Sequence, residues 1–181
     1  MDTIAEICRR NEEIRDFWGN SFNWAPSEAA LLLERSRLDR QVALSHCLTL
    51  WTSENHPVER WDGALILGWA NLGALVEGTL KWFLSVYRND VPGDAIKRYG
   101  RSIEPEEATL DQLRQFYSKH FVWYNEAERL TWDPWLEEIR DRRNSVHAYR
   151  DKDIGTFDDL QRCIERYLDL IETLDGRAPY D

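Results

Sequence analysis

Apolar residues recur along this chain at three- and four-residue steps, the spacing that gathers them on one face of an α-helix. Pro26-Ser27 opens one such pattern, which predicts a helix to about Trp51 with Leu31, Leu38, Val42 and Leu48 on its buried stripe. Arg35, Arg37, Asp39 and Arg40 interrupt its middle and read as a solvated face, and Asn55-His56-Pro57 breaks it. The next pattern, about Trp61 to Tyr87, is the most buried-looking: Leu65, Trp69, Leu72, Val76, Leu80, Phe83 and Tyr87 keep the helical step. Gly68, Gly73 and Gly78 lie inside it. A helical glycine costs about 1 kcal/mol against alanine, so the expectation is that neighbouring backbones approach closely there. Glu77 is a charge on this apolar element.

Asp90 to Glu107 is a long irregular stretch containing Pro92-Gly93, Gly100 and Pro105. Thr109-Leu110-Asp111-Gln112 has the form of a capping box and opens a helix with Leu113, Phe116, Tyr117, Phe121 and Tyr124 inward. Asp133 followed by Pro134 predicts a cap and first turn for a helix reaching about Val146. Thr156 caps the last helix, whose stripe is Leu160, Ile164, Tyr167, Leu168, Ile171 and Leu174, and Gly176 ends it. No alternating strand pattern and no internal repeat is visible. The expectation is an all-α protein, one helical domain over residues 1–181, built as a bundle of four to six helices. N-terminal helices would occupy residues 1–60 and a core bundle residues 61–176.

Composition narrows the function classes. The formal charge is −10 in 181 residues, which disfavours sequence-blind affinity for nucleic acid or anionic membranes. The nine tryptophans suggest a core or an interface filled with large rings. Cys8, Cys47 and Cys163 have no paired spacing, which favours reduced thiols over a disulfide framework or a zinc site. The opening residues lack a basic-then-apolar signal pattern, and the uncharged run Gly63 to Val76 falls short of the ~20 residues that span a bilayer. The expectation is a cytoplasmic protein with no membrane partner, no metal and no cofactor.

Candidate chemistry concentrates between Arg140 and Tyr149. With Ile139 at zero on a helical wheel, Trp132, Trp135, Leu136 and Val146 fall within about 60° of it. Arg143 falls at about 40°, inside that apolar face, and His147 at about 80°, on its border. A guanidinium on a core-facing stripe is costly without an acceptor. Charge is dense here too: Arg140, Arg142, Arg143, Arg150 and Lys152 stand against only Asp141 and Asp151. Such an island suits one phosphate group on an otherwise repelling surface.

An arginine followed four to six residues later by histidine, near the junction of the last two helices of a small bundle, resembles the HEPN superfamily. Arg142 with His147 and Arg140 with His147 both fit its motif, and His147-Ala148-Tyr149 resembles the His-x-Tyr extension of HEPN toxins paired with nucleotidyltransferase antitoxins. Arg143-Asn144 has the family's arginine–polar pair but lies one residue too close to His147, so three arginines remain open. The resemblance covers about Trp61 to Leu174. It implies a HEPN-like core over 61–176 and a homodimer that brings two copies of the motif into one cleft. It also implies metal-independent RNA cleavage of toxin or phage-defence type, with an antitoxin such as a nucleotidyltransferase as partner.

In that chemistry the RNA 2′-hydroxyl attacks the adjacent phosphate and leaves a 2′,3′-cyclic phosphate. Histidine moves the proton and arginine offsets charge on the phosphoryl oxygens. Asn144 would orient either group, and Glu77 would hold the arginine by a fork-like ion pair. A second function class stays open: a non-catalytic HEPN-like module that binds a nucleotide or a protein and uses the same arginines structurally. Tyr149 reads as a packing residue, His120 as a satisfied core histidine, His56 as a loop residue, and His46 beside Cys47 has no metal-ligand spacing.

Overall fold

A computed structural model describes residues 2–52, 56–90, 96–120, 123–147 and 151–180. The protein is all-α: among the described residues 74% are helical and one two-stranded hairpin is present. The helices are α1 (Thr3–Trp18), α2 (Ser27–Arg35), α3 (Leu38–His46), the single turn α4 (Leu48–Trp51) and α5 (Trp61–Val86). After the hairpin strands β1 (Lys97–Arg98) and β2 (Arg101–Ser102) come α6 (Leu110–Lys119), α7 (Glu126–Arg143) and α8 (Phe157–Asp175).

α5 is the axis of the bundle, and α2, α3, α4, α6, α7 and α8 all pack on it. Its Trp69, Leu72, Leu75, Val76 and Leu80 are fully buried, each stabilising the fold by roughly 1.5–3 kcal/mol relative to exposure. α1 closes the far side against α3 and α8, and one continuous core runs from Ile4 to Leu174. Val58–Val86 is long and apolar enough, by length and composition, to cross a membrane (mean hydropathy 1.3), and 61% of that window is buried inside the molecule.

The long helix expected from Ser27 to Trp51 is broken into α2, α3 and α4. At Ser36 the backbone turns extended (ψ 136). Its N–H reaches the carbonyls of Leu32 and Leu33 at 2.9 and 3.2 Å, and its hydroxyl donates to Leu33 O. Those carbonyls are satisfied without a further turn, so the chain can bend. Leu31 is consequently 46% exposed, while Leu38, Val42 and Leu48 are buried.

The start of α7 also differs from expectation. Asn125, not Asp133, is the cap, its side chain accepting from Glu128 N at 2.9 Å, and Pro134 lies inside the helix. Burial of Trp132, stacked 5.9 Å from Trp123, draws the preceding residues into the helix. Tyr124 is 76% exposed rather than inward, because α6 stops at Lys119; Phe121 lies outside the described residues. The irregular stretch contains the β1–β2 hairpin, with Lys97 opposite Ser102 and Arg98 opposite Arg101. Side chains, not backbones, crowd the α5 glycines: Leu160 and Trp51 at Gly68, Arg143 at Gly73 and Gln41 at Gly78. The capping box at Thr109 forms as expected, and Thr156 caps α8 as expected, completing a capping box with Asp159.

Candidate functional site

The last turn of α7 points Arg140 and Arg143 toward the start of α6. α7 then tightens into a 3-10 turn, Asn144–Val146. The Ser145 hydroxyl donates to Arg142 O, and His147 N donates to Asn144 O at 3.3 Å. The turn ends at His147, whose side chain is exposed.

Glu77, its side chain only 16% exposed, is the hub of this corner. Its Oε2 accepts from Arg143 Nη1 at 2.5 Å and from the backbone N–H of Leu110 at 3.1 Å. Its Oε1 accepts from Lys81 Nζ at 2.7 Å. The Leu110 N–H belongs to the first turn of α6, where the helix dipole favours negative charge. Burial pushes the Glu77 carboxyl up, but Lys81 and Arg143 outweigh it and hold it below the ordinary carboxylate value. The Arg143 contact is through one nitrogen, not a fork.

Arg140 is held by three carboxylates: Asp111 at 2.7 Å, Asp141 at 2.8 Å and Glu137 at 3.2 Å. Asp111 most, and Asp141 with it, raise its pKa. Burial pushes Asp111 up, but Arg140 and Arg114 bring it below its ordinary value.

Between these elements lies an open groove of about 630 Å³ that both Arg140 and Arg143 line, together with Asn144 and His147. Among the described residues its charges balance: Glu77, Glu107 and Asp111 against Lys81, Arg140 and Arg143. Of the cationic island read along the chain, Arg140 and Arg143 are thus paired with acids from α6 and α5.

Arg142 faces elsewhere. Its Nη1 lies 2.7 Å from Asp153, its guanidinium sits 5.8 Å from the Trp69 ring centroid, and its side chain is 15% exposed. It lines a separate hollow with Glu138, Asp141, Lys152 and Asp153. Gly155, at φ +64, leaves no room for a Cβ, which would lie 2.9 Å from Arg142 Cζ. Trp69 Nε1 donates to Ile154 O at 2.7 Å beside it. Arg142 therefore fastens the α7–α8 connection to α5. Tyr149 lies outside the described residues, as does Arg150.

The groove gathers Arg140, Arg143, Asn144, His147 and Glu77, and separates Arg142 from them. Lys81 and Asp111 were missed in the sequence. Lys81 had a local signal, the i,i+4 spacing to Glu77. Asp111 was visible only as part of a capping box, since its partner Arg140 is distant in the chain. His120 is not a core residue: half-buried, it stacks on Phe116 at 4.7 Å and lines a surface hollow. His46 lies 3.2 Å from Glu12, and His56 stacks on Phe157. Among the described residues no group of three or more His, Cys, Asp or Glu side chains is placed to hold a metal ion. No family model, no curated protein and no solved structure matches this chain.

Proposed function

We propose that this chain is a HEPN-like endoribonuclease of toxin or phage-defence type that works without a metal ion, as a homodimer, with an antitoxin such as a nucleotidyltransferase as its cognate partner. The observation that carries the reading is the convergence of Arg140, Arg143, Asn144 and the exposed His147 on one open groove at the end of α7. Arg143, with Arg140 beside it, offsets the charge that develops on the phosphoryl oxygens. Asn144 orients the phosphate, and Arg142 positions the backbone that carries His147.

His147 takes the proton of the 2′-hydroxyl as the O2′–P bond forms and the P–O5′ bond breaks. The 5′-oxygen of the leaving strand then receives a proton from the histidine of the second copy. The products are a 2′,3′-cyclic phosphate and a 5′-hydroxyl end.

The test is incubation with single-stranded RNA in excess chelator, with product ends resolved chromatographically. Cleavage should persist, give cyclic phosphate ends and fall by about 10²-fold or more in His147→Ala. Equal rates for His147→Ala and the parent would sink the assignment. The balanced charge of the groove favours a second reading, a non-catalytic module binding a nucleotide or a protein. That reading takes over if the parent cuts no RNA, or if the trace cleavage it shows is matched by the alanine variants of Arg140, Arg142, Arg143 and His147.

A further inference from the structure

We propose that the β1–β2 hairpin and the hollow beneath it on α6 form a second nucleic-acid contact, which holds the nucleotides flanking the cleaved phosphate of a single-stranded RNA. The role as a flanking subsite rests on the ribonuclease reading of the His147 groove.

The hairpin is built against its own stability. Arg98 and Arg101 stand directly opposite each other, and like charges in that register repel. The turn between them is Tyr99-Gly100, with φ +51 and φ +79. A two-residue turn with both φ positive suits Asn-Gly or Gly-Gly, and a tyrosine there is strained. Packing does not offset the strain, because Tyr99 is 99% exposed. A ligand with negative charge screens the arginine pair, and one with a π-face gives the exposed Tyr99 ring a stacking partner that offsets the strain. Single-stranded nucleic acid has both in alternation along its length.

The hollow beside the hairpin continues this chemistry. Its volume is about 290 Å³, and none of the described residues lining it carries a carboxylate. Phe116 and His120 stack in its wall with an interplanar angle of 23°, and Lys119 is on its rim. Among the described residues the His147 groove carries cations and acids in equal number, whereas this hollow carries the cations Lys97 and Lys119 on a chain of formal charge −10.

The hairpin is fixed relative to the groove. Gln112 Nε2 donates to Lys97 O at 3.1 Å, and its Oε1 accepts from Arg98 Nη2 at 3.3 Å. Ile103 N closes the base on Ile96 O at 3.0 Å. Arg98 also donates to the carbonyl of Glu107, which lines the groove. The two hollows flank the first turn of α6: Asp111 lines one, Gln112 and Gln115 the other.

The test uses a fluorescein-labelled single-stranded oligouridylate, bound by full-length His147→Ala protein so that it is not cut. Tyr99→Gly removes the ring and relieves the strained turn, so it should fold at least as well as the parent. Its affinity should nonetheless fall by about five-fold or more, and Tyr99→Trp should retain it. Arg101→Ala should lower the slope of log affinity against log salt by about 0.7. In the His147 parent, Tyr99→Gly should raise KM for a long RNA and leave turnover of a dinucleotide unchanged.

Undiminished affinity in both Tyr99→Gly and Arg101→Ala overturns the inference, as does a protein that binds no oligouridylate. Tighter binding of poly-glutamate than of oligouridylate, lost in the same variants, assigns the surface to an acidic protein and overturns it too. Cleavage abolished by His147→Ala but indifferent to Tyr99 keeps the groove reading and removes this one. RNA binding that depends on Tyr99, in a protein that cuts nothing, does the reverse.

Discussion

At the scale of single residues, Glu77 decides how the groove is held together. It satisfies Arg143, Lys81 and the Leu110 N–H at once. Glu77→Gln leaves the cations without a countercharge and should destabilise the fold by about 1.5–3 kcal/mol at neutral pH. Because the folded-state carboxyl lies below its ordinary value of 4.5, its contribution is complete above that pH and is lost as the pH falls through the folded value. Denaturant midpoints of parent and variant should therefore differ most at neutral pH and converge in acid. A constant gap across that range would refute the ion-pair account. The wheel had already placed Arg143 inward and marked Glu77 as an unusual charge, so both ends of this pair were legible from periodicity. The resemblance had Glu77 holding an arginine of the motif; which of the three arginines it meets was not legible. Nor was the separation of Arg142, because a position just off the apolar face says nothing about the Asp153 and Gly155 it folds against.

At the scale of elements, caps were legible where one local motif competed with nothing else. Thr109 and Thr156 each have a residue three positions on that completes a capping box. The Asp133-Pro134 pair reads as a helix start in isolation, but burial of Trp132 carries α7 back to Asn125 and leaves Pro134 in mid-helix. A helix-interior proline lacks the N–H that its turn needs and crowds the preceding carbonyls. Pro134→Ala should then stabilise the protein by about 1–3 kcal/mol, read as a higher midpoint of thermal or denaturant unfolding. Had the helix begun at Pro134, the same change would be neutral or slightly harmful, so a lowered midpoint would return the start to Asp133. The break at Ser36 was hidden for a related reason: the apolar step resumes at Leu38 as though nothing had intervened.

At the scale of the whole molecule, the all-α architecture was readable because α5 declares itself through composition alone, and six other helices depend on it. The balance of charge was not readable, since it is struck between α5, α6 and α7. One copy leaves its groove neutral and open along one side. The ribonuclease reading needs a second copy to complete the cleft. Sedimentation at micromolar concentration should show a dimer, and a monomer there would count against the reading. Arg143 and Gly73 carry a longer consequence. The arginine stem lies so close that a Cβ on Gly73 would meet it at 2.6 Å. The two positions cannot drift independently over generations: a side chain gained at Gly73 survives only in a lineage that has shortened Arg143. In descendants of this chain, a glycine kept at Gly73 is the inherited trace of an arginine still in use.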